Sequence, residues 1–314
     1  MFPEQHTINT PYAVGPVHCY TAELNGELVL FDTGPPSSAA KQYLVQHVEL
    51  KKLRHVIITH CHIDHYGLVQ WLEQETDATI YLPFRDYLRN SRHHESLVLM
   101  TDLLAQFGFS AEILGPFQRC LNNGSIFPPL PERAKIIEED LPKYLGLTAI
   151  SCAGHSQSDM VLMRDNWAIT GDVLLQGIFQ TPLLDVDLLT GERFRNYSAY
   201  CDSLIKLASL RGKQVLPGHQ YKIDGIDSCL QFYIEKLLDR AIKIKQLPLN
   251  MTAAEIVTKL FVTDTQNPFS FYFKASGIVF IRDFLAQPEL LKSALITIGL
   301  FTEVADKFEK VINY

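Results

Sequence analysis

The stretch Thr59-His60-Cys61-His62-Ile63-Asp64-His65-Tyr66-Gly67 follows an apolar, β-branched run from Arg54 to Thr59. Four side chains of the kind that bind metals fall within six residues: His60, His62, Asp64 and His65. Side chains alternate along an extended strand, so His60 and His62 point to one side. Cys61 then points away, into the packing. Asp64 and His65 approach from the loop or the first helical turn. These directions diverge too far for one tetrahedral ion. Two neighbouring ions can each take a share and complete the shell from elsewhere in the chain. A lone histidine at a strand end is usually a hydrogen-bonded surface group, but a run of four such ligands is not explained that way.

The rest of the chain supplies the completion. His155 follows the strand pattern Leu147 to Cys152, within Ala153-Gly154-His155-Ser156. Asp172 follows Trp167 to Thr170, within Thr170-Gly171-Asp172, and His219 follows Gln214 to Leu216, within Leu216-Pro217-Gly218-His219. A glycine beside each late residue permits the tight turn that aims its side chain. Two apolar runs end in histidine (55–60 and 214–219) and two near aspartate (28–34 and 167–173). Four strands delivering such side chains at their ends predict one site assembled from two similar halves.

Further out, Val17 to Leu24 and Glu27 to Asp32 flank Asn25-Gly26, a short hairpin signal. Gly67 to Glu75 suits a helix and Ala78 to Leu82 a strand, which indicates an α/β architecture. Between 84 and 122, Leu97, Met100, Leu103, Leu104 and Phe107 recur at helical spacing and predict an insertion of two or three helices, the last starting near Ser110. Asn122-Asn123-Gly124 closes it, and 125–134 reads as a Pro-rich loop. Lys135 to Glu138 and Met160 to Arg164 read as strands, and Tyr197 to Ser209 as a helix. After about Gly225 the strands stop. Asp227 to Gln246 is amphipathic, Thr252 with Glu255 forms a capping box, and Ser270 to Ala286, Pro288 to Ile298 and Thr302 to Ile312 complete a helical tail. The phenylalanine-rich part, 270–284, reads as helix core, with an apolar pocket wall as the second reading. The expected division is therefore a first unit to 225 and a helical segment from 226 to 314.

Composition narrows the class. With 47% hydrophobic and 20% charged residues in a chain of 314, a disordered or fibrous protein is excluded. The net charge of −7 opposes a general nucleic-acid binder. No apolar run reaches the roughly 18 residues that a spanning helix needs, so no membrane role is expected. The six cysteines are scattered without a CxxC pair, and the first residues show no basic segment before an apolar one. The cytoplasm is the expected setting. His6, His18, His47 and His55 stand alone and are expected to be packing or surface residues.

FDTG (31–34), THCHIDH (59–65), GHSQSD (154–159), TGD (170–172) and PGH (217–219) resemble, in order and spacing, the motifs of the metallo-β-lactamase-fold hydrolase superfamily. The resemblance spans about residues 11 to 225. It implies an α/β fold, an αβ/βα four-layer sandwich here carrying a helical insertion and a helical C-terminal segment. It also implies a dinuclear site in which His60, His62 and His155 bind one metal, Asp64, His65 and His219 the other, and Asp172 bridges them. Asp32 matches the family's early aspartate, which supports the site from behind the ligands. Hydrolysis by a metal-bridging hydroxide follows from that implication, with Asp64 orienting it or moving its proton. Two divalent ions are expected, zinc first, with iron or manganese also suited to imidazole and carboxylate donors.

Within the superfamily the chain is similar to the glyoxalase-II-like and quinolone-signal response protein-like thioesterase group, which joins this core to helical additions. A small-molecule thioester is the expected substrate, with a lactone or phosphoester as alternatives. A metal-containing regulatory or partner-binding protein with incidental hydrolysis is the reading from another class. Substrate-binding residues are not assigned: His93 and His94 in the insertion read first as surface or packing residues, with substrate contact as the second reading if the insertion forms a lid, and the apolar tail suggests a homodimer.

Overall fold

Alternation along the strands sorts their side chains between opposite faces, and this sorting builds the layers. The computed structural model describes residues 2–122, 128–223, 225–261 and 267–313. Its larger sheet holds β1 (Glu4–Ile8), β2 (Val17–Leu24), β3 (Glu27–Phe31), β4 (Leu53–Ile57), β5 (Thr79–Leu82) and β6 (Lys135–Ile136), in that order. The first three are antiparallel neighbours, and β3 to β6 run parallel. Asn25 (φ 53°) and Gly26 (φ 86°) both take the positive φ that a tight hairpin between β2 and β3 requires. The chain continues with β7 (Thr148–Ser151), β8 (Met160–Arg164) and β9 (Trp167–Gly171). After a short ribbon of β10 (Val186–Asp187) and β11 (Glu192–Arg193) comes β12 (Gln214–Pro217). The second sheet has the order β12-β9-β8-β7, with β12 parallel to β9 and the others antiparallel.

Three cores follow. Val29, Phe31, Ile57 and Tyr81 of the larger sheet face Met160, Leu162, Trp167, Ile169 and Leu216 of the smaller. Their neighbours Leu30, Val56, Ile80 and Leu82 turn outward onto Ala40, Leu44, Val69 and Leu72 of the helices Ser38–His47 and Val69–Glu75. Val161, Ala168 and Val215 of the smaller sheet join a third core with the helices Asn196–Leu207 and Ile226–Lys245. The layers are thus helix, sheet, sheet, helix, as the motifs implied.

The insertion forms three helices, Phe84–Ser91, His93–Gln106 and Ala111–Asn122. Its Phe109 and Phe117 meet Phe271 and Phe269 of the tail with ring centroids 5.1 Å apart in both pairs. Phe271, Phe280 and Phe284 are buried, in line with the core reading of that helix. Insertion, tail and smaller sheet share the third core. The capping box at Thr252 and Glu255 is present.

Several boundaries differ from the sequence reading. The helix expected at Gly67 to Glu75 starts at Val69, and a separate helical turn, Ile63–Tyr66, precedes it. Glu138 lies in a helical turn, Ile137–Asp140, and not in a strand; the Asp140 carboxylate accepts from the Ile136 N–H and turns the chain there. The strand before His60 ends at Ile57, although Ile58 still donates to the Tyr81 carbonyl at 3.0 Å. Asn123, Gly124 and residues 125–127 of the Pro-rich loop lie outside the described residues. Among the described residues no helix is long and apolar enough to cross a membrane.

Candidate metal centre

The seven residues singled out by the motifs meet where β4, β9 and β12 end. Main-chain bonds set the approach of these ends. Met160 N–H donates to the Thr59 carbonyl (2.9 Å), and Gly218 N–H to that of Gly171 (2.7 Å). The helical turn Ile63–Tyr66 carries Asp64 and His65. Asp32 follows β3 with φ 56°, a left-handed conformation that aspartate tolerates better than most residues. Its carboxylate accepts from the Thr59 N–H (2.8 Å), the Thr59 hydroxyl (2.9 Å) and His65 Nδ1 (2.8 Å).

Two groups of donor atoms result. His60, His62, His155 and Asp172 each offer one atom, all within 4.8 Å of one another. Asp64, His65 and His219 form the second group under the same limit. Asp172 stands between the groups. Its Oδ2 lies 3.8 Å from His155 Nε2, while its Oδ1 lies 3.4 Å from His65 Nε2 and 3.6 Å from His219 Nε2. His219 Nε2 is also 3.3 Å from Asp64 Oδ2.

The hydrogen-bond partners assign the tautomers, and the tautomers test whether the site suits cations. His155 Nδ1 faces the Thr181 carbonyl (2.7 Å) and His219 Nδ1 the Pro16 carbonyl (2.7 Å). A carbonyl only accepts, so both rings carry a proton on Nδ1, and in its neutral form each turns a bare Nε2 inward. The Thr59 hydroxyl gives its proton to Asp32 and accepts from His60 Nδ1 (3.1 Å), which leaves His60 Nε2 bare. His62 Nδ1 sits 2.9 Å from His60 Nε2 and 3.1 Å from His155 Nε2. One proton on His62 could bridge only one of those contacts. On the side of the second group, His65 Nε2, His219 Nε2 and the facing Asp172 Oδ1 are buried without a hydrogen-bond partner. Buried polar atoms are rarely left so. A Cβ on Gly218 would stand 2.7 Å from both Asp172 Oδ1 and His65 Cε1, so only glycine leaves that space open. Convergent lone pairs, a central carboxylate and outer nitrogens tied to acceptors fit divalent cations.

Electrostatics separates the groups. Burial, reinforced by His65 and His62, holds His60 well below its ordinary pKa; burial and His155 do the same to His62. These rings are neutral, the form that binds metal. Burial opposes charge on His65 and His219, yet Asp172 with Asp32, and Asp172 with Asp64, outweigh it and raise both. Asp172 lies well below the ordinary carboxylate range because His65 and His219 overcome its burial. Burial pushes the Cys61 thiol well up, and Cys61 is packed in the outer core, so no thiolate ligand is present there.

The structure brings His60, His62, Asp64, His65, His155, Asp172 and His219 together, with Asp32 behind them. It does not bring His93 or His94 into either group: His93 lines a recess of about 240 Å³ with Asn90 and Leu121, and His94 is exposed. His6 and His55 are packing residues bonded to Thr21 (2.8 Å) and Glu27 (2.6 Å). His47 is exposed and faces the Tyr43 carbonyl. His18 does more than pack, since its Nε2 donates to the Gln220 carbonyl (2.7 Å) beside His219. Sequence reasoning also missed Asp86, whose Oδ2 accepts the Cys61 N–H (2.6 Å) and pins the chain between His60 and His62. No spacing signal pointed to it.

Comparisons with known proteins give the family and the fold. Residues 12–219 match the sequence model of the metallo-beta-lactamase superfamily. The chain is 24% identical over 267 residues to the probable metallo-hydrolase YqjP of Bacillus subtilis, covering 81% of this chain and 83% of that protein. It is 26% identical over 214 residues to the probable metallo-hydrolase YflN of the same organism, covering 63% and 76%. A metallo-beta-lactamase family protein from Thermus thermophilus superposes with a TM-score of 0.69 at 20% identity, covering 91% of this chain and 94% of that one. A beta-lactamase domain protein from Burkholderia ambifaria gives 0.70 at 19% identity, covering 91% and 86%.

Proposed function

Because the chain belongs to the metallo-β-lactamase superfamily of metal-dependent hydrolases, we propose that it cleaves an ester-type bond of a small organic molecule, a thioester first. The observation that carries the reading is the place of Asp172, one oxygen toward each group of inward-facing imidazoles. In this reading His60, His62 and His155 hold one ion, Asp64, His65 and His219 the other, and Asp172 joins them. Two such ions would acidify water towards a pKa of about 7 and polarise the scissile carbonyl. The donor set, imidazole and carboxylate without thiolate, suits zinc, and also iron or manganese.

The chain's own residues do the rest. Asp64 is kept anionic by His219 and His65, which overcome its burial, so it can accept a proton from the attacking water and orient it. Asp32 and Thr59 hold His65 and His60 in the tautomers that leave Nε2 free. The thioester preference rests on the resemblance to the glyoxalase-II-like group, which joins this core to helical additions of the kind that here pack on the smaller sheet. Metal analysis of the purified protein, followed by a screen of thioesters, lactones and phosphodiesters with each metal restored, tests the reading. About two ions per chain and thioester turnover are expected. Turnover of a lactone or phosphodiester alone replaces the substrate class. A protein with no metal, and no turnover after reconstitution, overturns the hydrolase reading.

A further inference from the structure

We propose that a groove between the loop following Asp172 and the helix Ile226–Lys245 binds the phosphate groups of a small molecule. The groove encloses about 760 Å³. Lys236, Arg240 and Lys243 line it from the helix, four and three residues apart and therefore on one face. Phe179 of the loop and Phe232 of the helix form its apolar part. The Arg240 guanidinium lies 4.7 Å from the centre of the Phe179 ring, and the Lys236 ammonium 5.4 Å from that of Phe232. The rings hold these cations in place but neutralise no charge. The acid that lines the groove, Asp239, is engaged by Lys307 at 2.6 Å. Among the described residues no carboxylate pairs with Lys236, Arg240 or Lys243. Like charges at such spacing repel one another. In a chain of net charge −7, three unpaired cations on one groove select a polyanion, and a guanidinium beside two ammonium groups suits phosphate.

The loop wall is also part of the metal centre. It starts at Asp172, and the Thr181 carbonyl near its other end holds His155 Nδ1. The Gln180 amide, oriented so that its nitrogen donates, reaches the Asp172 and Val173 carbonyls. Tyr233 of the helix donates to the Leu175 carbonyl (2.9 Å) and docks the loop on the groove. A phosphate there is either the anionic end of the substrate or a separate effector. The first of these rests on the hydrolase reading, whereas binding itself does not.

The test is calorimetric titration of the metal-loaded protein with fructose 1,6-bisphosphate as probe. Binding is expected for the native chain, weakened by about tenfold or more in Arg240→Glu and in Lys243→Glu, which touches no ring. Lys259→Glu changes the net charge equally but lies outside the groove, and should bind as the native chain does. Circular dichroism of each variant confirms folding. If the groove holds the substrate's end, Arg240→Glu raises KM for a phosphorylated thioester by about tenfold relative to a neutral one. If it holds an effector, the bisphosphate alters turnover of the neutral thioester in the native chain and not in Arg240→Glu. No binding by the native chain, or equal binding by all four proteins, overturns the proposal. A native chain that turns over the neutral thioester without binding bisphosphate removes the groove and leaves the hydrolase reading intact.

Discussion

The two halves of the candidate metal centre are held by different means. On the larger sheet, side chains orient the ligands: Thr59 accepts from His60 Nδ1, and Asp32 accepts from His65 Nδ1. On the smaller sheet, main-chain carbonyls do the same work, Thr181 for His155 and Pro16 for His219. In the first half the orientation is encoded in residue identity, and one substitution can remove it. In the second it is encoded in the path of two loops, and replacing a side chain leaves it in place.

Asp172 stands between the two donor groups, each of which draws ligands from both halves, so Asp172→Asn gives the largest expected effect. Neutralising the shared carboxylate should lower metal content and reduce turnover roughly 1000-fold. Retention of two ions and of activity would show that the two donor groups do not depend on each other through this residue. Asp32→Asn comes next, with a loss of about 10–100-fold in metal affinity or activity. Every hydrogen bond of the Asp32 carboxylate is an accepted one, so an amide nitrogen would face a donor. Thr181→Ala is the matching change in the other half and should stay within about twofold, since only the carbonyl is used. Equal losses in the two variants would break the comparison.

Acidification separates the groups further. His65 and His219 are raised above the ordinary histidine pKa, so in the metal-free chain their protons compete with a cation. Their group should bind more weakly as pH falls, whereas the depressed His60 and His62 offer no such competition. Metal stoichiometry followed from pH 8 downward is expected to drop first at the Asp64, His65 and His219 group. Release of both ions together would contradict this. The smallest effect is expected for Cys61→Ala, which costs about 1 kcal/mol of stability in thermal unfolding and leaves metal content unchanged.

Much of this arrangement was legible along the chain. THCHIDH carries four candidate ligands locally, and the glycines before His155, Asp172 and His219 mark tight turns after strands. The alternation in Met160-Val161-Leu162 and Trp167-Ala168-Ile169 is visible as pattern and reappears as membership of two different cores. The ribbon of β10 and β11 was not legible, because two residues per strand carry no period. Nor was the role of Asp86, which depends on the insertion lying against Cys61.

The sequence by itself determined which residues can bind metal and that they come from two sets of strand ends, because strand alternation and turn chemistry act over a few residues. Only the tertiary structure decided which nitrogen of each ring faces inward, which oxygen of Asp172 serves each group, and that a loop tied to His155 also walls a cationic groove. Those features depend on carbonyls and helices brought together from distant parts of the chain. The Pro16 carbonyl that fixes His219 lies 203 residues away from it, and no local pattern reports such a contact.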